Sequence, residues 1–395
     1  MKKWFAVLLS VGFFIGCRKE NITSVHYWLD NIGSRTDLPF LPDSSANYFS
    51  YSFYRATGDK TGLRLKAKFM YARYQSYNVY NLNTRSSISS LADIQLMPDA
   101  GNENPFITLS QNSNRNYTVY MLPDIPEAQS YPNKLLFPDS ITDVNVLLRN
   151  YLAEKDVYGG VPLPDIEAFD LATGKTVPTP EPLSITFADF NNIVDDLSRI
   201  INLTQLLQQG NKINFFRFAG LGLFPNLDNQ YIFAPLKLYP NEVAILKFHP
   251  PAFAGQLSAI PAADVRYFSL CLGDSKTYNY KTLADYNFKI ASDGNIYVVI
   301  GRKESDIIAR ASGLNFIEWV PELKNEGLVI YRNLLTAADY TYNMNQVPDV
   351  LKNLNQVFNI NYLHADTYIG DRAPKGVKMS KTAYLTNFGG FEVVY

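Results

Sequence analysis

The side chains best suited to chemistry recur in two sets. Ala72-Arg73-Tyr74-Gln75-Ser76, Leu91-Ala92-Asp93 and Asp99-Ala100-Gly101 reappear as Val265-Arg266-Tyr267-Phe268-Ser269, Leu283-Ala284-Asp285 and Asp293-Gly294. Arg73 and Arg266, Asp93 and Asp285, and Gly101 and Gly294 stand 193, 192 and 193 positions apart. A guanidinium fork grips carboxylates and phosphates, so an Arg beside an Asp can build a ligand site. The repetition argues for another role. Copies of a domain share what holds the fold and diverge where function lies, and charges withdrawn from water are normally paired. Arg73, Asp93, Arg266 and Asp285 are therefore expected to form structural Arg–Asp pairs with a packing Tyr beside them.

Residues that the copies do not share are better functional candidates. The second copy inserts residues 249–263 between Lys247-Phe248 and Arg266, where the first runs from Lys68-Phe69 almost directly into Arg73. Inserted loops on a rigid scaffold often carry binding residues. His249 is thus the candidate general base or ligand contact, although the sequence gives it no acidic or nucleophilic partner. The first copy has its own piece, Tyr158-Gly159-Gly160-Val161-Pro162-Leu163-Pro164-Asp165. It could offer backbone amides to a ligand, but it opens no helix and matches no phosphate loop, so a turn leaving a sheet is the plainer reading. Trp28, Trp319 and Tyr158 are candidates to stack on a sugar ring. Core packing accounts for most of the other aromatics.

Several chemistries find no support. His26, His249 and His364 are scattered, with no HExxH or CxxC spacing, so no metal site and no cofactor are expected. There is no GxSxG elbow, and Cys271 lies in an apolar run that reads as buried and inert. Asp165 and Glu167 are neighbouring acids, but a carboxylate pair for glycoside cleavage is a property of a folded cleft.

The N-terminus states the compartment. Lys2 and Lys3 precede an apolar run from Trp4 to Ile15 that closes on Gly16-Cys17, followed by Arg18-Lys19-Glu20. The run is too short to span a membrane and has the length of a signal h-region. Phe14-Ile15-Gly16-Cys17 resembles the lipobox of bacterial lipoproteins, with Phe14 where that family favours Leu. The resemblance implies cleavage before Cys17, lipidation of its sulfur and new amino group, and anchoring by two or three acyl chains. With Arg18 rather than Asp after the cysteine, it points to the outer membrane. Only Cys17 and Cys271 are present, so a lipidated chain has no internal disulfide. Without Lys2 and Lys3, 34 basic residues face 37 acidic ones, and no basic stripe suggests nucleic acid.

Composition sets the fold class. The 27 Tyr and 25 Phe fall in short alternating runs such as Tyr48-Phe49-Ser50-Tyr51-Ser52-Phe53-Tyr54, which suit pleated, half-buried strands. The expected fold is mostly β: two related antiparallel β-sandwich domains, an internal duplication, with a few packing helices. The expected divisions are a signal peptide (1–16), a lipidated tether and first strand (17–60), repeat 1 (61–165), a Pro-rich connector with a helix over 187–209 (166–242), repeat 2 (243–345), and a C-terminal region (346–395) with a helix over 348–358. Over residues 60–345 the chain resembles uncharacterised exported bacterial proteins with a duplicated β-body, a likeness that implies no activity. The expected function is a lipid-anchored module that binds a glycan or protein outside the cytoplasm. The alternatives are a hydrolase of extracellular polymers and a structural envelope protein.

Overall fold

The computed structural model describes Trp28 and residues 41–110, 112–183, 198, 201, 202, 208, 210–218, 224–253, 263–353 and 360–387. The first half holds β1 (Ala46–Tyr54), β2 (Thr61–Lys68), β3 (Tyr74–Asn81), β4 (Ser87–Ala92), β5 (Asn116–Pro123), β6 (Lys134–Phe137), β7 (Asp143–Tyr151), β8 (Asp165–Asp170) and β9 (Thr176–Val177). The second holds β10 (Lys212–Ile213), β11 (Asn229–Lys237), β12 (Glu242–Phe248), β13 (Val265–Gly273), β14 (Asn279–Ala284), β15 (Ile296–Gly301), β16 (Asn315–Glu318), β17 (Glu326–Thr336) and β18 (Lys375–Ser380). Short helices α1 (Pro105–Thr108), α2 (Ser305–Arg310), α3 (Asp366–Ile369) and α4 (Lys381–Asn387) decorate them.

The strands form two sandwiches with one plan. Sheet β1-β7-β3-β4 faces sheet β6-β5-β2-β8-β9, and sheet β11-β17-β13-β14 faces sheet β10-β18-β12-β15-β16. Strand for strand, β1 to β8 correspond to β11 to β18, including the parallel pairs β5–β6 and β15–β16 among otherwise antiparallel neighbours. Alternation builds each core. Phe49, Tyr51 and Phe53 of β1 meet Leu63, Leu65, Tyr77, Val79, Val146 and Leu148 in the first sandwich. In the second, Ile232, Ala234 and Leu236 of β11 meet Leu246, Phe268, Leu270, Val298 and Val329.

Each sandwich reaches beyond the expected repeat. The first takes in β1, before residue 61, and β8, which runs to Asp170; the second takes in β11, before 243, and β18, after 345. These outer strands complete the sheets by pairing with motif-bearing or central strands, yet carry no repeated motif themselves. Leu-Ala-Asp sits at a strand's exit: β4 and β14 end on Ala92 and Ala284, and Asp93 and Asp285 open matching 3-10 turns. Gly101 and Gly294 turn at φ 76° and 80°. The helix expected over 187–209 lies mostly outside the described residues, within which Ser198, Ile201 and Asn202 are helical. Of 348–358, the described part forms only a 3-10 turn, Val350–Lys352, capped by Asp349.

Candidate functional site

The repeated Arg and Asp do pair, but across the two sandwiches. Arg73 of the first binds Asp285 of the second, and Arg266 of the second binds Asp93 of the first at 2.6 Å. All four side chains are buried. A third contact ties the pairs together, as Arg266 Nη1 donates to the Arg73 carbonyl at 3.4 Å. Asp93 also accepts from the Gln75 amide at 2.8 Å. Burial pushes the Asp285 carboxyl up to about 6 despite Arg73, and raises Asp93 for the same reason against Arg266.

The exchange extends to the segments leading into β1 and β11. Asp43, just before β1, accepts from Tyr267 Oη at 3.0 Å and Ser269 Oγ at 2.6 Å on the second sandwich. Asp228, just before β11, accepts from Tyr74 Oη at 2.5 Å on the first. Arg332 of β17 donates to the Leu41 carbonyl, and Arg149 of β7 donates to the Phe224 carbonyl at 2.7 Å. Leu41 and Phe224 share a left-handed backbone, φ 51° and 50°. Each lead-in is thus held by an arginine of the opposite sandwich. Between them Ala46, Tyr74, Ala92, Tyr151, Tyr267, Ala284 and Leu334 form a buried apolar cluster. The sequence marked the Arg, Asp and Tyr of this interface, while Leu41, Asp43, Phe224 and Asp228 lay in aperiodic stretches with no signal.

The other candidates are dispersed. His249 is half-buried, its amide donates to the Asp371 carbonyl at 2.8 Å, and its ring lies against Gly294. Among the described residues no hydrogen bond joins its imidazole to an acid or a nucleophile, and residues 254–262 of the inserted segment lie outside the description. Trp319 is only 2% exposed and donates Nε1–H to the Lys324 carbonyl at 2.9 Å, so its ring is unavailable for sugar stacking. Trp28 is likewise buried, donating to the Pro164 carbonyl at 2.8 Å. Tyr158 is half-buried and stacks on Phe49 with centroids 5.5 Å apart. The Asp156 carboxylate occupies the amides of Tyr158 and Gly160 at 2.9 and 2.8 Å, which makes that segment a self-satisfied turn rather than a ligand cradle.

Cys271 is buried beside Arg332, Thr282 and Ser269, and burial, outweighing Arg332, pushes its thiol up to about 11. Glu167 is engaged by Lys66 and Thr176, while Asp165 is exposed. Cys17 lies outside the described residues. Among the described residues no group of His, Cys, Asp and Glu could hold a metal ion.

Two surface features remain. The crossing from β4 to β5 exposes Ile94, Met97, Ile107 and Leu109, and the corresponding crossing from β14 to β15 exposes Tyr286 and Ile290. Ile94 and Tyr286 directly follow Asp93 and Asp285, so each crossing starts at a carboxylate held by an arginine of the other sandwich. The inserted segment leaves from the same end: Phe253 packs on Phe268, which stacks on Phe288 of the second crossing. Separately, a cavity of about 420 Å³ opens beside Lys212, Lys237 and Lys378.

No family model and no curated protein matches the chain. Among solved structures, it is similar to an uncharacterised protein from Burkholderia cenocepacia, at 8% identity and a TM-score of 0.55 over 90% of this chain and 82% of that one. A protein from Vibrio parahaemolyticus aligns at 10% identity and a TM-score of 0.40 over 75% of this chain and 85% of that one. The Burkholderia likeness shows the fold, which is mostly β with antiparallel sheets and few helices.

Proposed function

We propose that this chain is an exported lipoprotein, anchored through Cys17 at the outer membrane, whose double sandwich docks a protein partner. The observation that carries this reading is the apolar group Ile94, Met97, Ile107, Leu109, Tyr286 and Ile290, of which Ile107 is 61% exposed. Contiguous exposed apolar side chains on a folded domain mark interaction sites. Each crossing begins at a buried carboxylate held by an arginine of the other sandwich, which fixes its start before binding and lowers the ordering cost of docking. Burial of both Trp28 and Trp319 favours a protein over a glycan. Matching strand orders and repeated motifs support descent of both sandwiches from one duplicated unit. A hydrolase built on His249 would need another catalytic group beside it, and among the described residues no hydrogen bond joins its imidazole to an acid or a nucleophile.

A photo-crosslinking residue placed at Ile107 in cells tests the reading. The expected result is a discrete adduct of higher mass that is lost when Ile94→Asp and Tyr286→Asp are added. Absence of an adduct from each of the six positions would leave a structural envelope protein as the better account.

A further inference from the structure

Arg149 and Arg332 occupy matching places, but only Arg332 has a counter-ion beside it. Arg149 of β7 stands opposite Tyr48 of β1 and Ser76 of β3, and Arg332 of β17 stands opposite Tyr231 of β11 and Ser269 of β13. Each guanidinium donates to the carbonyl of a left-handed lead-in residue, Phe224 or Leu41. Arg332 also lies 3.7 Å from the Asp43 carboxylate, and its Nη1 meets Cys271 Sγ. Asp43 precedes Tyr48 by five residues, as Asn226 precedes Tyr231, and Cys271 follows Ser269 by two, as Asn78 follows Ser76. The first sandwich's arginine therefore faces Asn226 and Asn78 where the second's faces Asp43 and Cys271. Asn226 Oδ1 accepts from the Asp228 amide at 3.0 Å and Asn78 Oδ1 from the Leu227 amide at 3.2 Å, so both oxygens are taken up by backbone amides rather than by Arg149. Arg149 is only 3% exposed, and among the described residues its Nη1 has no hydrogen-bond partner and no carboxylate forms an ion pair with it. Asp228 feels its charge but is held by Tyr74. The rings of Tyr48 and Tyr80, each 5.6 Å away, recover only part of the hydration that a buried cation gives up.

We propose that Arg149 Nη1 binds a small monovalent anion of the chloride class, which does for this guanidinium what the Asp43 carboxylate does for Arg332. One unpaired guanidinium calls for one negative charge, and a water in its place would leave the buried cation uncompensated. Ser76, Asn78 and Tyr80 are fully buried and Asn226 is 3% exposed, so these surroundings suit a bare ion rather than an organic acid. The ion ties the lead-in of the second sandwich to the first, which makes the seam between the halves sensitive to chloride. This assignment is independent of the protein-docking face.

Thermal melting of the purified full-length chain in sodium chloride, with the ionic strength held constant by sodium gluconate, tests it. The melting temperature should rise by about 2 °C or more between about 1 and 150 mM chloride and then level off, as for a ligand that binds only the folded state. The native chain should also broaden the chloride NMR resonance. Asn226→Asp combined with Asp228→Ser copies the residues at 43 and 45 and supplies the carboxylate from within the chain, so this variant should melt at one temperature in either salt and leave the resonance sharp. Arg149→Met should lose the broadening as well. A native chain indifferent to chloride in either measurement, or a double variant that keeps the full response, would overturn the assignment.

Discussion

Arg73→Met removes the cation from one exchanged pair and leaves the Asp285 carboxylate buried in the other sandwich. Breaking a buried ion pair from one side costs about 3–5 kcal/mol, because the remaining charge is uncompensated. The carboxylate can escape part of this cost by taking a proton. Its folded pKa is already raised to about 6 in the native chain. A raised folded pKa means that the native state binds the proton more tightly than the unfolded chain, so this group's contribution is present at low pH and is lost as pH rises through about 6. Without Arg73 that pKa rises further, at ~1.4 kcal/mol per unit. The penalty of Arg73→Met should therefore be clearly larger near about pH 8 than near about pH 5, where the carboxyl is largely protonated in both chains. Adding Asp285→Leu should restore most of the lost stability at the higher pH, since an apolar pair of similar volume is tolerated there. Urea unfolding read by tryptophan fluorescence provides the assay. Trp28 reports the first sandwich and Trp319 the second. In the native chain the two signals should change at one midpoint, and in Arg73→Met they should separate, because the pair spans the interface. A penalty below about 1 kcal/mol, no dependence on pH, or a double variant no better than the single one would refute the reasoning.

Three further outcomes follow from particular residues. The Cys271 thiol, pushed up to about 11 by burial, should react with an aromatic disulfide reagent only as fast as the chain unfolds, and urea should speed the reaction. Gly294→Ala should destabilise by about 1 kcal/mol or more, because φ is 80° and the added Cβ would stand 3.1 Å from His249 Cε1, as thermal melting can check. Cys17→Ala should abolish labelling of the chain by an alkyne fatty acid in cells; retained labelling would refute lipidation at Cys17.

The sequence by itself determined the fold class and the framework residues. Alternating Phe and Tyr specify strands because side chains of a pleated strand face opposite sides, and two faces of a sandwich need large apolar groups. Arg73, Asp93, Arg266 and Asp285 were legible as a paired framework because both copies keep them. Three matters were decided only by tertiary structure. Which Arg meets which Asp depends on how the sandwiches pack, and the partners lie 212 and 173 positions apart. The strands β1, β11 and β18 belong to their sandwiches through backbone pairing, which any side chain of suitable shape can support, so they carry no repeated signal. The roles of His249, Trp319 and Tyr158 turned on burial and neighbours. A lone His, Trp or Tyr reads alike in sequence whether it lines a site or fills a core, and Trp319 fills one because its ring packs against Gly327, where a Cβ would stand 2.8 Å away.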